Sequence, residues 1–181
     1  MVTAHLNRER ILTAAFEILD EYGLGDLTMR RLARHLDVTP GALYWHFPSK
    51  QELLGGISDR ILGEDDTASE NEQPDTDWRA AAHAAAATLL DRLLSTRDGA
   101  EIVSAALASG TATVDPAKRL TASVQDAPDA GLAGWVLTRY LLGAATDLQT
   151  AVAAGAEPRP VAQVMAGVDL VLGGIPTGPT G

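Results

Sequence analysis

The side chains best suited to chemistry are concentrated between positions 28 and 50, where basic, aromatic and very small residues are interleaved. Four basic residues stand between 27 and 50 against one acidic residue, so this window carries a local charge of +3. A basic patch of this kind can hold phosphate groups even when the rest of a chain repels them. The candidate binding residues are Thr28, Arg30, Thr39, Pro40, Gly41, Ala42, Tyr44, Trp45, His46 and Lys50.

No residue pattern indicates catalysis or a metal centre. The chain has no cysteine, and its four histidines, at positions 5, 35, 46 and 83, show no paired spacing, so no metal site is predicted. Gly23 and Gly25 begin a phosphate-loop spacing, but Thr28 stands where the third glycine belongs. A serine elbow and an acid pair are missing as well. The sequence therefore predicts a binding protein that is not an enzyme and has no cofactor.

The overall charge is opposite in sign to the basic window. The 181 residues carry a net charge of −10. Residues 1–60 hold seven basic and eight acidic side chains, whereas residues 61–181 hold seven basic and sixteen acidic ones. The acidity thus lies in the C-terminal two-thirds, where it suppresses non-specific binding to polyanions. The lack of cysteine, signal sequence and long apolar run predicts a soluble cytoplasmic protein with no membrane contact.

The elements that must position the basic window are short helices with well-marked ends. A first helix is predicted over 5–22 from its apolar spacing. Thr28 is the predicted N-cap of a second helix that ends near Leu36. A third helix is predicted over 40–46, and a capping box that begins at Ser49 predicts a fourth. Two short helices joined by a tight turn have the geometry that fits a DNA major groove.

One small apolar core is predicted to hold these helices together. Its predicted members are Ile11, Ile18, Leu32, Leu36, Leu43 and Phe47. Because apolar side chains at four-residue spacing share one face of a helix, six residues are left facing outward or toward the helix entrance: Arg30, Thr39, Gly41, Ala42, Tyr44 and His46. Tyr22 is predicted to lie in the core as well.

The rest of the chain reads as further helices. Residues 64–77 are acidic and polar and are predicted to form a connecting loop. Alanine- and leucine-rich segments predict helices near 76–95, 99–109, 115–125, 129–154 and 159–173. Residues 176–181 alternate proline, threonine and glycine and are predicted to form a disordered tail. No strand pattern appears, so the predicted fold class is all-α.

The run from Leu27 to Lys50, with Leu-Tyr-Trp-His at 43–46, resembles the DNA-binding domain of the TetR family of bacterial transcriptional regulators. The resemblance covers residues 8–60. It implies a three-helix DNA-binding domain with a helix-turn-helix, joined to a larger helical domain for ligand binding and dimerisation. The implied boundaries are 1–48 for the helix-turn-helix domain, 49–63 for a linking helix, 64–77 for the acidic loop, 78–175 for the effector-binding and dimerisation domain, and 176–181 for the tail.

The resemblance also implies roles for individual residues. Arg30 would read a base, most simply a guanine edge. Residues 39–42 would lie deepest in the groove, against thymine methyl groups. Tyr44, His46 and Lys50 would hold the phosphate backbone without specifying sequence.

The resemblance implies that Trp45 sets its ring against a neighbouring helix and its edge near the sugar-phosphate backbone. Asp37 stands in the turn where the family usually has glycine. Aspartate tolerates left-handed backbone better than most residues, so the turn is expected to survive this change. The DNA sequence that a relative binds is therefore not assumed to be the operator of this chain.

The implied function is that of a homodimeric repressor that binds a palindromic double-stranded DNA operator and is released by a small-molecule effector of unknown identity. Candidate effector residues are His83, Trp135, Arg139 and Tyr140, and the alternative, which the sequence favours, is that they are core side chains and a surface charge. Two apolar stripes suit either a dimer interface or the core of one chain. The stripe on 129–154 comprises Leu137, Leu141, Ala144, Leu148 and Ala151, and the stripe on 159–173 comprises Val161, Val164, Val168 and Val171. Activation of transcription in place of repression is an alternative, because the position of the operator decides between them. A second alternative is a helical interaction or small-molecule-binding protein that retains the fold without specific DNA binding.

Overall fold

The computed structural model of the chain describes residues 5–63, 78–125, 127 and 129–175. Within these ranges it contains nine α-helices, one 3-10 turn and no strand, which confirms the all-α prediction. The helices are α1 Arg8–Tyr22, α2 Met29–His35, α3 Pro40–Tyr44, α4 Lys50–Leu62, α5 Trp78–Leu94, α6 Gly99–Ser109, α7 Pro116–Ser123, α8 Ala130–Ala153 and α9 Val161–Gly173. None of these described helices is long and apolar enough to cross a membrane. The predicted acidic loop 64–77 and tail 176–181 lie outside the described residues.

Contacts divide the chain into two compact units. The first comprises Met1–Ile61 and Ser95–Thr113, and so combines α1 to α3, nearly all of α4, and α6. The second comprises Leu62–Leu94 and Val114–Gly181, with α5 and α7 to α9. Hence α6 packs with the N-terminal helices although it follows α5 in the chain. The predicted functional division of the chain into domains remains a prediction.

A side-chain cap sets the start of α1. Asn7 accepts a hydrogen bond from the Arg10 backbone N–H at 2.8 Å. The helix therefore begins at Arg8, three residues after the predicted start. It ends as predicted at Gly23, whose N–H donates to the Leu19 carbonyl at 2.8 Å.

Two further predicted caps are confirmed. Thr28 Oγ1 accepts from the Arg31 backbone N–H at 3.1 Å and begins α2. Ser49 Oγ accepts from the Glu52 N–H at 3.1 Å and begins α4. Each bond satisfies an amide group that the helix itself leaves without a partner. These caps fix where the short helices begin, and hence which of their residues face outward.

The turn between α2 and α3 requires one left-handed residue, and Asp37 supplies it. Its φ is +55°, a region that costs most side chains about 1–2 kcal/mol but costs aspartate less. The Val38 N–H donates to the Ala33 carbonyl at 2.9 Å and closes the end of α2. The expectation that aspartate tolerates this turn is confirmed.

A single apolar cluster joins α1 to the helices that follow it. Its predicted members Ile11, Ile18, Leu32, Leu36, Leu43 and Phe47 are all buried. At about 1.5–3 kcal/mol for each large buried side chain, this cluster is the main source of stability for helices as short as α2 and α3.

Tyr22 does not belong to this cluster, and its predicted burial is wrong. Its side chain is 41% exposed. The Arg31 guanidinium covers one face of the ring, 3.8 Å from the ring centroid, and is itself paired with Asp26 at 2.6 Å. The Tyr22 ring therefore packs against the guanidinium of Arg31 and not in the apolar core.

Polar contacts join α4 to the segment that follows α6. Asp59 accepts from the Thr113 N–H at 2.8 Å and from its hydroxyl at 2.6 Å. Thr111 Oγ1 donates to the Gln51 carbonyl at 3.0 Å. Gly55 lies so close to the Thr111 backbone that a Cβ would overlap it. Within the first unit, α4 and α6 therefore hold each other in place.

In the second unit, α8 is the longest helix and α9 packs along it. Leu137, Leu141 and Leu148 of the predicted α8 stripe are buried. The Tyr140 hydroxyl donates to the Val164 carbonyl at 2.8 Å, and Gly167 leaves room for the tyrosine ring. The α8 stripe thus forms core within one chain along much of its length.

The buried face of α9 differs in part from the predicted stripe. Val164, Val168 and Leu172 are buried, whereas Val161 is 46% exposed. On the opposite side of the helix, Leu170 is 80% exposed. One face of α9 is therefore core and the other presents apolar surface to solvent.

The turn at Asp37 gives a stability prediction. We expect Asp37→Gly to raise the free energy of unfolding by up to about 1 kcal/mol, and Asp37→Val to lower it by about 1–2 kcal/mol, because a β-branched residue is strained at positive φ. Urea denaturation followed by circular dichroism measures both. Asp20→Val, at an exposed position of α1, is the matched control. A valine variant at position 37 as stable as wild type would contradict the left-handed turn.

Candidate nucleic-acid interface

The apolar cluster leaves the other side of α2 and α3 open to solvent. None of the ten candidate binding residues is buried. The exposed ones are Thr28, Arg30, Thr39, Pro40, Gly41, Tyr44 and Trp45, and the half-buried ones are Ala42, His46 and Lys50. The structure thus places all ten away from the core, as a helix that must lie against another molecule requires.

Two adjacent arginines at the start of α2 have different roles. Arg31 is held within the chain by the Asp26 carboxylate and the Tyr22 ring. Arg30 is exposed at the second residue of the helix. The guanidinium directed outward at this end of α2 is therefore that of Arg30, as predicted from the sequence.

The first turn of α3 carries very short side chains. Pro40 occupies the first helical position, where the missing N–H is harmless. A Cβ at Gly41 would meet only the Thr39 hydroxyl oxygen, at 4.0 Å, so packing within the described chain does not require glycine there. Such a turn allows another molecule to approach the helix backbone closely.

The end of α3 exposes two large aromatic rings. Tyr44 is 48% exposed and Trp45 is 90% exposed. The predicted packing of the Trp45 ring against a neighbouring helix is therefore wrong. Leu43 and Phe47 occupy the inward positions on either side of it, which turns the tryptophan toward solvent.

Arg8 is a further residue of this surface, and it was missed in the sequence. Its Nη1 donates to the His46 carbonyl at 2.6 Å, and its guanidinium lies 4.1 Å from the centroid of the Phe47 ring. The contact links positions that are 38 residues apart, so no local pattern could have indicated it. Arg8 thereby fixes the backbone that leaves α3 next to Trp45.

Polar side chains link α1 to α2 and to α4. His35 Nε2 lies 2.7 Å from Glu17 Oε2, and Arg60 Nη1 lies 2.9 Å from Glu9 Oε1. Exposed pairs of this kind contribute only about 0–1 kcal/mol to stability.

Lys50 is the first residue of α4. At this end of a helix the backbone N–H groups point outward and the helix dipole favours negative charge. A lysine in that position adds a mobile positive charge to the same end. The start of α4 therefore has the charge that favours an anion, and the role of Lys50 as a phosphate contact remains a prediction.

The four predicted effector residues do not share one cavity. Arg139 and Tyr140 line a cleft of about 620 Å³ on α8 and α9. His83 lines another cleft, where its Nε2 lies 3.6 Å from Asp169 Oδ1. Trp135 is 52% exposed. A role for any of the four in effector binding remains a prediction.

A third cavity of the second unit is lined by residues that the sequence did not indicate. It has a volume of about 200 Å³ and is lined by Leu62, Ala85, Thr88, Leu89, Arg92, Pro116, Arg119 and Leu120. Its arginines come from α5 and α7, which are separated in the chain, so only the fold brings them together. No cluster of metal-ligating side chains occurs within the described ranges.

Known proteins match the N-terminal helices most specifically. Residues 11–57 match the family described as bacterial regulatory proteins, tetR family. The chain is 40% identical over 97 residues to the tetracycline repressor protein class C of Escherichia coli, a match that covers 54% of this chain and 44% of that repressor. The match thus spans less than half the length of this curated relative.

Solved structures match nearly the whole chain. BioQ of Mycobacterium smegmatis is 40% identical, with a TM-score of 0.81 over 94% of this chain and 97% of that one. A BioQ structure with its double-stranded DNA operator is also 40% identical, with a TM-score of 0.79 over 94% and 98%. TetR of Acinetobacter baumannii is 30% identical, with a TM-score of 0.73 over 94% and 96%. These similarities, with the N-terminal match, show that the chain belongs to the TetR family of bacterial regulatory proteins.

Proposed function

We propose that the protein is a sequence-specific DNA-binding transcriptional regulator. It binds a palindromic operator as a homodimer, represses transcription, and is released by a small-molecule effector. The observation that carries this proposal is the exposure of Trp45, 90% open to solvent on a helix pair whose opposite face is core. Exposed aromatic surface beside polar groups marks an interaction site. That BioQ was solved with its DNA operator supports a duplex as the partner.

The reading surface consists of α3 in the major groove with α2 beside it. The short side chains at 39–42 let the helix approach the base edges, where apolar contact with thymine methyl groups is available. Arg30 reads a base by paired hydrogen bonds. Tyr44, His46 and Lys50 hold phosphates and set the register, without specifying sequence.

The separation of basic from acidic residues along the chain favours sequence-specific over non-specific binding of DNA. The basic window contacts the phosphates, while the excess of acidic residues beyond position 60 repels DNA from other faces. The affinity for DNA then falls with salt concentration by an amount set by the number of phosphate contacts.

A second copy of the chain supplies the second half of the reading surface. The apolar side chains exposed on α8 and α9 include Leu132, Trp135 and Leu170, which are 53%, 52% and 80% exposed. Two such faces related by a two-fold axis cover each other and place two copies of α3 on successive half-sites. The operator is then a palindrome.

The effector binds in the cavity of about 200 Å³ lined by residues of α5 and α7. Its binding favours a conformation whose α3 helices no longer match the half-site spacing, and the protein leaves the DNA. This mechanism needs no catalytic step, so we propose that the protein is not an enzyme. It acts in the cytoplasm, where bacterial operators lie.

Selection of operators from random duplex DNA tests the proposal, with Arg30→Ala as the diagnostic variant. We expect wild type to enrich a palindromic sequence. Loss of Arg30 should weaken binding to that sequence by about 1–3 kcal/mol, or roughly 5- to 150-fold, because one base loses a paired contact. The same variant should tolerate other bases at that position, as competition binding with single-base changes would measure.

Arg34→Ala is the matched control, since Arg34 is an exposed arginine one turn further along α2. It should alter the affinity for all duplexes evenly and leave the selected sequence unchanged. Enrichment without sequence preference, in wild type and both variants alike, would refute specific regulation. It would favour an interaction protein that retains the fold.

The dimer proposal gives a separate prediction. We expect Leu170→Glu to raise the dimer dissociation constant at least about a hundredfold, because each chain loses a large apolar side chain from a shared interface. Sedimentation velocity over a range of concentrations measures this constant. Ala122→Glu, an exposed change on α7, should leave it unaltered. A Leu170→Glu variant that dimerises like wild type would place the interface elsewhere.

A further inference from the structure

Two arginine side chains meet at the carbonyl end of α4. The Arg92 guanidinium, from α5, donates to the Leu62 carbonyl oxygen. Arg119, from α7, donates to the same oxygen at 2.6 Å and to the Gly63 carbonyl at 2.7 Å. The last carbonyl groups of a helix have no partner within it and carry partial negative charge, so they attract guanidinium groups. The end of α4 is thus held by two cations from different helices.

Gly63 gives the arginines access to this end. Its φ is +72°, and a Cβ at this position would lie 3.1 Å from Arg92 Nη1. A side chain here would be strained and would press on the guanidinium. The helix end is therefore shaped for close contact with Arg92.

The same two arginines line the cavity of about 200 Å³. Most of its remaining wall is apolar, with Leu89 and Leu120 buried. A cavity of about 150 Å³ can hold benzene, so this one suits a molecule with one ring or a short chain. The cavity thus combines a small apolar space with two guanidinium groups on its lining.

We propose that this cavity binds a small organic carboxylate. The carboxylate pairs with Arg92 and Arg119, and its apolar body lies against Leu89 and Leu120. A carboxylate can accept two parallel charge-assisted bonds from a guanidinium group, an arrangement that a single carbonyl oxygen does not offer. The bound acid therefore competes with the carbonyl groups at the end of α4 for the same donors.

This competition loosens the last turn of α4 when the ligand is bound. α4 is a continuous helix from Lys50 to Leu62, so the change occurs in the helix whose first turn contributes to the proposed phosphate contact. This link between the cavity and DNA binding rests on the proposed function, and it makes a small organic carboxylate the effector. Because coupling is reciprocal, operator binding must weaken carboxylate binding by the same factor.

Calorimetric titration of the DNA-free protein tests the ligand class. The probes are benzoate and hexanoate, each compared with its own primary amide, which has the same shape but no charge. We expect at least one carboxylate to bind about tenfold or more tightly than its amide. Arg92→Gln and Arg119→Gln should each remove that preference. Arg119→Lys retains the charge and keeps the test valid where a glutamine variant fails to fold.

Lys118→Ala is the matched control, because Lys118 is the exposed cation beside Arg119 on α7. Its carboxylate binding should equal that of wild type. The proposal is overturned if the acids and their amides bind equally or if neither acid binds. It is also overturned if Lys118→Ala loses the preference for carboxylate as fully as Arg92→Gln and Arg119→Gln.

Hydrogen exchange tests the competition at the helix end. Saturating the protein with the acid that binds best should speed exchange of the backbone amides of residues 59–63. Slower exchange there would contradict release of the carbonyl groups. Neither experiment contains DNA. Carboxylate preference without operator selection would therefore refute only the regulatory function, and operator selection without carboxylate preference would refute only this inference.

Discussion

The burial of Leu32, Leu43 and Phe47 in the apolar cluster is the constraint on which the reading surface depends. α2 has seven residues and α3 has five, and helices this short are not stable alone. Their conformation therefore comes from the shared core. Once these three side chains point inward, helix geometry directs Arg30 and Trp45 outward. The apolar cluster thus determines both the stability of the helix pair and the identity of the side chains that a partner meets.

A few polar contacts then fix the angles that the core leaves adjustable. Asp37 sets the left-handed turn between α2 and α3. Arg8 holds the backbone at the exit of α3, and Asp59 ties α4 to the segment after α6. The Arg8 and Asp59 hydrogen bonds contribute little to the free energy of unfolding because they are exposed to water. Recognition of a duplex nevertheless depends on such angles, because base edges are read by short hydrogen bonds of defined direction.

The elements and the small core could be predicted from the sequence because their signals are local. Caps, turn residues and apolar spacing place each described helix within about three residues of its observed start. The orientation of single aromatic rings was harder, since a ring at the edge of an apolar stripe turns inward or outward according to its neighbours, as at Tyr22 and Trp45. Contacts between residues far apart in the chain leave no local pattern in the sequence from which they could be predicted. Arg8 meets His46, and Arg92 meets Leu62, only in the folded chain.

Fluorine NMR of protein labelled with fluorotryptophan tests whether the exposed face of α2 and α3 binds DNA. The chain has three tryptophans, so single Trp→Phe substitutions assign every resonance. When a duplex enriched by the protein is added, we predict that the Trp45 resonance shifts most, because its ring leaves water for the DNA surface. A Trp45 resonance that keeps its free position while the duplex is bound would contradict the account, since the bound surface would then lie elsewhere.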